Sequence, residues 1–148
     1  MLSISHSITG AFIATKLPNP LLYIPLIFLS HYLEDWIPHW DVGTGLSNGT
    51  RKRKTAVKLE LVEMAITVVL VYLFWQYGHS QVNFNAWIGA GVGLVPDFME
   101  APRNFLKWEP KFLKFFNNVH GMFHHSTPNI PFGLLPQVIV VATIWILK

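Results

Sequence analysis

Apolar stretches of helical length, parted by short polar segments, occupy most of this chain. Residues 56–77 give about the ~20 positions that a helix needs to cross a bilayer, and 130–147 form a final apolar span. Residues 3–16 are shorter, reaching about two-thirds of that thickness at ~1.5 Å per residue before Pro18 and Pro20 break them. Residues 21–37 and 84–95 are further apolar segments. Only 13% of the 148 residues are charged, and 51% are hydrophobic. Soluble chains carry roughly 25% charged residues, so a lone domain of this size has trouble hiding its apolar surface in water.

The expected fold is therefore all-α. It is an integral membrane helical bundle of about five apolar helices, some of them short, in a single domain, 1–148. Residues 101–118 add an interfacial amphipathic segment, in which Arg and Lys alternate with Phe, Leu and Trp and Pro110 interrupts. The G-A-G-V-G run at 89–93 lacks the spacing of a nucleotide fingerprint and reads as a place where helices approach closely. No internal repeat and no soluble second domain is evident. With no cysteine, disulfides, thiolate zinc sites and iron–sulfur clusters are excluded.

The basic residues cluster at Arg51–Lys54 and at Arg103, Lys107, Lys111 and Lys114. Beside apolar spans, such clusters fit anionic lipid headgroups better than nucleic acid. If the basic clusters lie in the cytoplasm, the turns near Pro18 and Gly78 lie outside. His6, the His31/Asp35/His39 run, Glu60 and Glu63, Asp97 and Glu100, and His120, His124 and His125 then fall at one edge. Only His79 falls at the other.

Ionisable groups gathered beside hydrocarbon point to a site. Imidazole and carboxylate without thiolate are the ligands of a catalytic zinc or a similar divalent ion. The candidate ligands are His6, His31, Asp35, Asp97 and His120, with His124, His125 or both. His31, Asp35 and His39 would share one helical face at i, i+4 and i+8, unless Pro38 ends the helix before His39. Glu100 reads as a ligand or as a partner of Arg103, and Glu60 as nearer to water than Glu63. One or two ions, zinc or manganese, would lower the pKa of bound water toward ~7. Asp35 or Glu63, whichever is free of metal, would accept the proton. Arg103, helped by the 51–54 run, would attract a phosphate group. The expected activity is hydrolysis of a phosphate ester or pyrophosphate of a membrane lipid. The alternatives are a non-catalytic metal- or haem-binding membrane subunit, a metal-ion or proton transport component, and a scaffold without activity. A transport path needs ionisable groups through the full thickness, and here they crowd one edge.

Four motifs carry a resemblance. They are H-S-x-x-G at His6–Gly10, the S-H-Y-L-E-D-W-I-P-H-W-D segment from Ser30 to Asp41, G-x-x-P-D at Gly93–Asp97, and H-x4-H-S from His120 to Ser126. The chain resembles small bacterial and archaeal inner-membrane proteins described as membrane-bound metal-dependent hydrolases. More distantly it resembles the zinc-dependent phospholipase C and P1 nuclease group. The resemblance implies the inner membrane, a hydrolase and clustered metal ions. Two positions depart from the pattern: Gly121 stands where an arginine is usual, and the second carboxylate after Pro96-Asp97 comes at Glu100.

Overall fold

The computed structural model describes all residues from Met1 to Lys148. It has seven α-helices: α1 (Ser3–Lys16), α2 (Pro20–Trp36), α3 (Arg53–Trp75), α4 (Phe84–Gly93), α5 (Val95–Ala101), α6 (Lys111–Phe123) and α7 (Ile130–Leu147). There is no strand. A π-helical turn, Pro102–Leu106, extends α5. The side chains of Asn19, Asn83 and Asn129 cap α2, α4 and α7 by accepting from backbone N–H groups inside each first turn. Proline follows Asn19 directly and stands one residue later after Asn129, where a missing N–H costs nothing.

The all-α expectation holds, but an integral membrane bundle of about five apolar helices, some short, is not supported. By length and composition one helix, α7, is suited to cross a membrane. α1 and α4 have 14 and 10 residues, and α2 has 17 with Pro25 inside it. α3 has 23, but every 18-residue window of it contains Lys58, Glu60 and Glu63. The segment at 101–118 is also not one element. Lys107 takes a left-handed backbone conformation (φ 58°), the chain runs extended to Pro110, and α6 then continues to Phe123.

α1 is the hub, packing on α2, α3, α4 and α7. Its contact with α4 is backbone against backbone. A Cβ on Gly10 would strike the carbonyl oxygen of Gly89, one on Gly89 that of Gly10, and one on Gly93 that of His6. The small-residue run at 89–93 thus sets the helix spacing, as expected. It also levels His6 with the end of α4. The apolar core is modest: Ile8, Ala11, Val71, Trp75, Ala86, Ala90 and Ile144 make its main cluster. Much of the interior near the α1 N-terminus is instead polar, including His6, His31, Asp35, His39 and His120. Large apolar side chains crowd the surface of α2, α3, α6 and α7.

Candidate metal centre

Five imidazoles from four parts of the chain turn their Nε2 atoms toward one carboxylate or its neighbours. α2 supplies His31 and Asp35 one turn apart, both buried. The helix stops at Trp36, so His39 is not its next turn. Instead the extended segment at His39 pairs with Ser126 in a parallel bridge, tied by His125 N–H to Asp35 O (3.0 Å), His39 N–H to His125 O (3.0 Å) and Thr127 N–H to His39 O (2.7 Å). This bridge brings His39 and His124 together edge to face, with their Nε2 atoms 3.2 Å apart.

Around Asp35, His6 Nε2 lies 3.1 Å from Oδ1, His120 Nε2 2.7 Å and His31 Nε2 3.4 Å from Oδ2, and His39 Nε2 3.7 Å from Oδ1. Asp97 comes from the first turn of α5, 3.7 Å from the Nε2 atoms of His31 and His120. Asp41 Oδ2 stands 3.4 Å from His39 Nε2 and 3.3 Å from His124 Nε2. Two groups have ligand atoms close enough to share an ion: His6, His31, Asp35 and Asp97, and Asp35, His39 and His124. Asp35 belongs to both.

The opposite ring nitrogens are held from behind. His31 Nδ1 donates to Gly93 O and His39 Nδ1 to Ile37 O, both at 2.8 Å. Those bonds fix the tautomer that leaves Nε2 free as a ligand. Glu34 Oε2 lies 3.0 Å from His6 Nδ1 and Glu100 Oε2 3.4 Å from His120 Nδ1, as charge contacts outside hydrogen-bond alignment. Thr9 donates its hydroxyl to the other oxygen of Glu34.

The donor set suits a cation. Asp41 Oδ2 is buried with no hydrogen-bond donor. The buried Met1 ammonium contacts Asp35 and lies 2.9 Å from His6 Nε2, so a positive charge already stands where these ligands meet. Burial opposes ionisation of Asp41, yet His124 and His39 hold its carboxyl well below the usual range. Burial also works against a charged His120, but Asp35, Glu100 and Asp97 raise it to about 10. Glu100, despite burial, is lowered by His120 and Arg103. Without metal, a proton on His120 supplies part of the charge that an ion would bring. Buried His and Asp groups of this chain can hold a metal ion.

Of the expected ligands, His6, His31, Asp35, Asp97, His120 and His124 converge. His125 does not: its side chain is exposed, with Nδ1 turned to Phe123 O. His39, doubtful beyond Pro38, is inside. Glu100 backs His120 rather than joining the ligands. Glu63 lies outside both groups. Its Oε1 accepts from Ile4 N–H (3.3 Å) and Glu60 Oε1 from the Ser3 hydroxyl (3.0 Å), so the two serve the uncapped start of α1. Arg103 is ion-paired with Glu100 and lies 3.6 Å from Glu109. Arg51 is committed to the loop, donating to the carbonyls of Asp41 (3.1 Å) and Val42 (2.7 Å) while lying over Trp40. His79 lies in the turn after α3, its carbonyl accepting from the Gln76 side chain, and belongs to neither ligand group.

Three residues escaped the sequence reading. Asp41 stands two positions past His39, so in extended backbone both side chains share a side. Glu34 adjoins Asp35. Gln137, buried in α7, accepts from Leu2 N–H (2.7 Å) and donates to the carbonyls of Trp40 (2.7 Å) and Gly133 (2.8 Å). It therefore ties α7 to both α1 and the His39–Asp41 segment. Gln137→Leu strands buried backbone groups at about 1–3 kcal/mol each. Its expected result is a lower unfolding midpoint in detergent together with weaker metal binding, whereas an unchanged midpoint would contradict the tie.

Comparison with protein-family models, curated proteins and solved structures gives no match, so the residues themselves carry the functional reading.

Proposed function

We propose that this protein is a metal-dependent hydrolase at a membrane surface, acting on a phosphate ester or pyrophosphate of a lipid. The observation that supports it best is the shared carboxylate of Asp35, set between two ligand groups whose histidines are braced from behind. His6, His31 and Asp97, with His120 beside them, would hold one divalent ion. His39 and His124, with Asp41 beside them, would hold a second. Nitrogen and oxygen ligands without thiolate favour zinc, with manganese possible. A bound ion supplies Lewis-acid chemistry and water made acidic enough to act near neutral pH.

The chain's own residues do the rest. Asp97, Asp41 and His124 line a cavity beside the centre, so the ligand set is open to a substrate on that side. Glu63 lines the same cavity, and its Oε2 is buried without a hydrogen-bond partner, placing a free carboxyl oxygen where a proton can be taken up. Arg103, on the same wall, faces a phosphate group once it loosens from Glu100.

Membrane residence is part of the proposal. α7 is mostly unburied, unlike the core helix of a soluble protein. α6 buries Leu113, Asn117 and His120 and exposes Phe112, Phe115 and Phe116 among lysines, which suits an anionic bilayer surface. The resemblance suggests the bacterial or archaeal inner membrane, with the site on the cytoplasmic side by the basic clusters. A non-catalytic metal-holding subunit is the second reading, favoured by the near-complete burial of His6, His31, His39 and His120.

Detergent-purified protein assayed with lipid phosphates before and after chelation separates these readings. Phosphate release that chelator abolishes and zinc or manganese restores is expected of the hydrolase. Bound metal without release on any lipid phosphate or pyrophosphate leaves the second reading.

A further inference from the structure

The cavity beside the centre, about 460 Å³, has walls of two chemistries. Asp41, Asp97 and His124 supply polar groups, and Val57, Leu61 and Met64 of α3, Phe98 of α5 and Phe105 of the π-helical turn supply apolar ones. Val57, Glu60, Leu61 and Met64 recur at i, i+3, i+4 and i+7, so one face of α3 is turned to the cavity. Leu61 is 66% exposed and Phe98 50%, so both of these lining residues also reach the surface. In line with Leu61 at i+7 and i+11, Val68 and Tyr72 continue an exposed stripe along α3.

A wholly polar substrate would leave the apolar walls wet, and a wholly apolar one would strip water from the carboxylates without replacing it. Both kinds of wall are satisfied together by an amphiphile. We propose that the cavity binds a single-chain lipid phosphate. Its head lies at Asp97 and His124, and the first part of its chain runs past Met64 and leaves between Leu61 and Phe98 toward the membrane. The volume lies in the lower half of the range for small-molecule sites, roughly 300–1,000 Å³, which suits one chain better than two. The phosphate head rests on the metal reading above, since Asp41, Glu60, Glu63, Asp97 and Glu100 around the cavity repel an anion unless cations offset them.

The test uses full-length protein in detergent and a non-hydrolysable probe, dodecylphosphonate carrying a photoreactive group in its chain. Labelling is expected to concentrate in residues 57–64 and 98–105. Unlabelled dodecylphosphonate should compete at least about tenfold better than dodecanol or methylphosphonate, a difference of about 1.4 kcal/mol. Met64→Trp, which fills the channel, should cut the labelling about tenfold with metal content unchanged. Leu61→Glu, at an exposed position, should do the same if the tryptophan variant does not fold. Labelling spread evenly over the exposed apolar faces, with metal content intact, overturns this inference alone. So does equal competition by two-chain dimyristoyl phosphatidate. A metal-free wild-type protein labelled in the cavity, with dodecanol competing as well as dodecylphosphonate, overturns the phosphate head and the hydrolase reading together.

Discussion

Asp35→Asn is expected to strip both ions from the protein, taking the metal content from about two per chain to near none. Asp35 is the member common to the two ligand groups, is fully buried, and has four imidazole Nε2 atoms within 3.7 Å. The amide keeps the size and loses the charge. No other acidic residue belongs to both groups, so nothing takes its place. His39→Ala and His6→Ala, by contrast, each touch one group and should each remove about one ion. The substitution should also lower the stability of metal-free protein, because the Met1 ammonium and a charged His120 then lose their buried counter-ion. Breaking such a buried pair costs about 3–5 kcal/mol. Elemental analysis of the three variants, beside their unfolding midpoints, reads both effects. Undiminished metal in Asp35→Asn would contradict the shared position.

Glu34→Gln is expected to weaken metal binding by about 10- to 100-fold, the usual cost of losing a carboxylate behind a ligating histidine. Glu34 touches no other histidine, and its second oxygen is taken by Thr9. Its effect should therefore pass through His6 alone. Competition with a coloured chelator should show one of two ions weakened and the other unchanged. Equal weakening of both, or of neither, would contradict this role.

Some of this was legible in the sequence. α1 and α7 fall on the expected residues because prolines and asparagines mark their ends. His31 and Asp35 could be paired because one helical turn separates them. The level of His6 followed from counting segments. Other parts depend on contacts that spacing does not encode. His124 rather than His125 faces inward because the bridge with His39 alternates side chains, and the choice between them was open beforehand. Pro38 ends the helix as feared, yet the extended chain after it returns His39 to the same carboxylate. Glu34 drew no reading from the sequence, because the His6 ring that it backs comes from another helix. Glu63, an acid in an apolar run, suggested catalysis, and most of its environment is the start of α1. The integral bundle of about five apolar helices is not supported, because Lys58, Glu60 and Glu63 interrupt α3 and α1 and α4 are short.

Under the proposed function, Asp35 would stand between two ions, and anomalous diffraction from crystals of the zinc-loaded protein tests this most directly. Two peaks are expected, one bounded by His6, His31 and Asp97 and the other by His39 and His124, with the Asp35 carboxylate between them. Full zinc occupancy elsewhere on the chain, with no peak at Asp35, would contradict it.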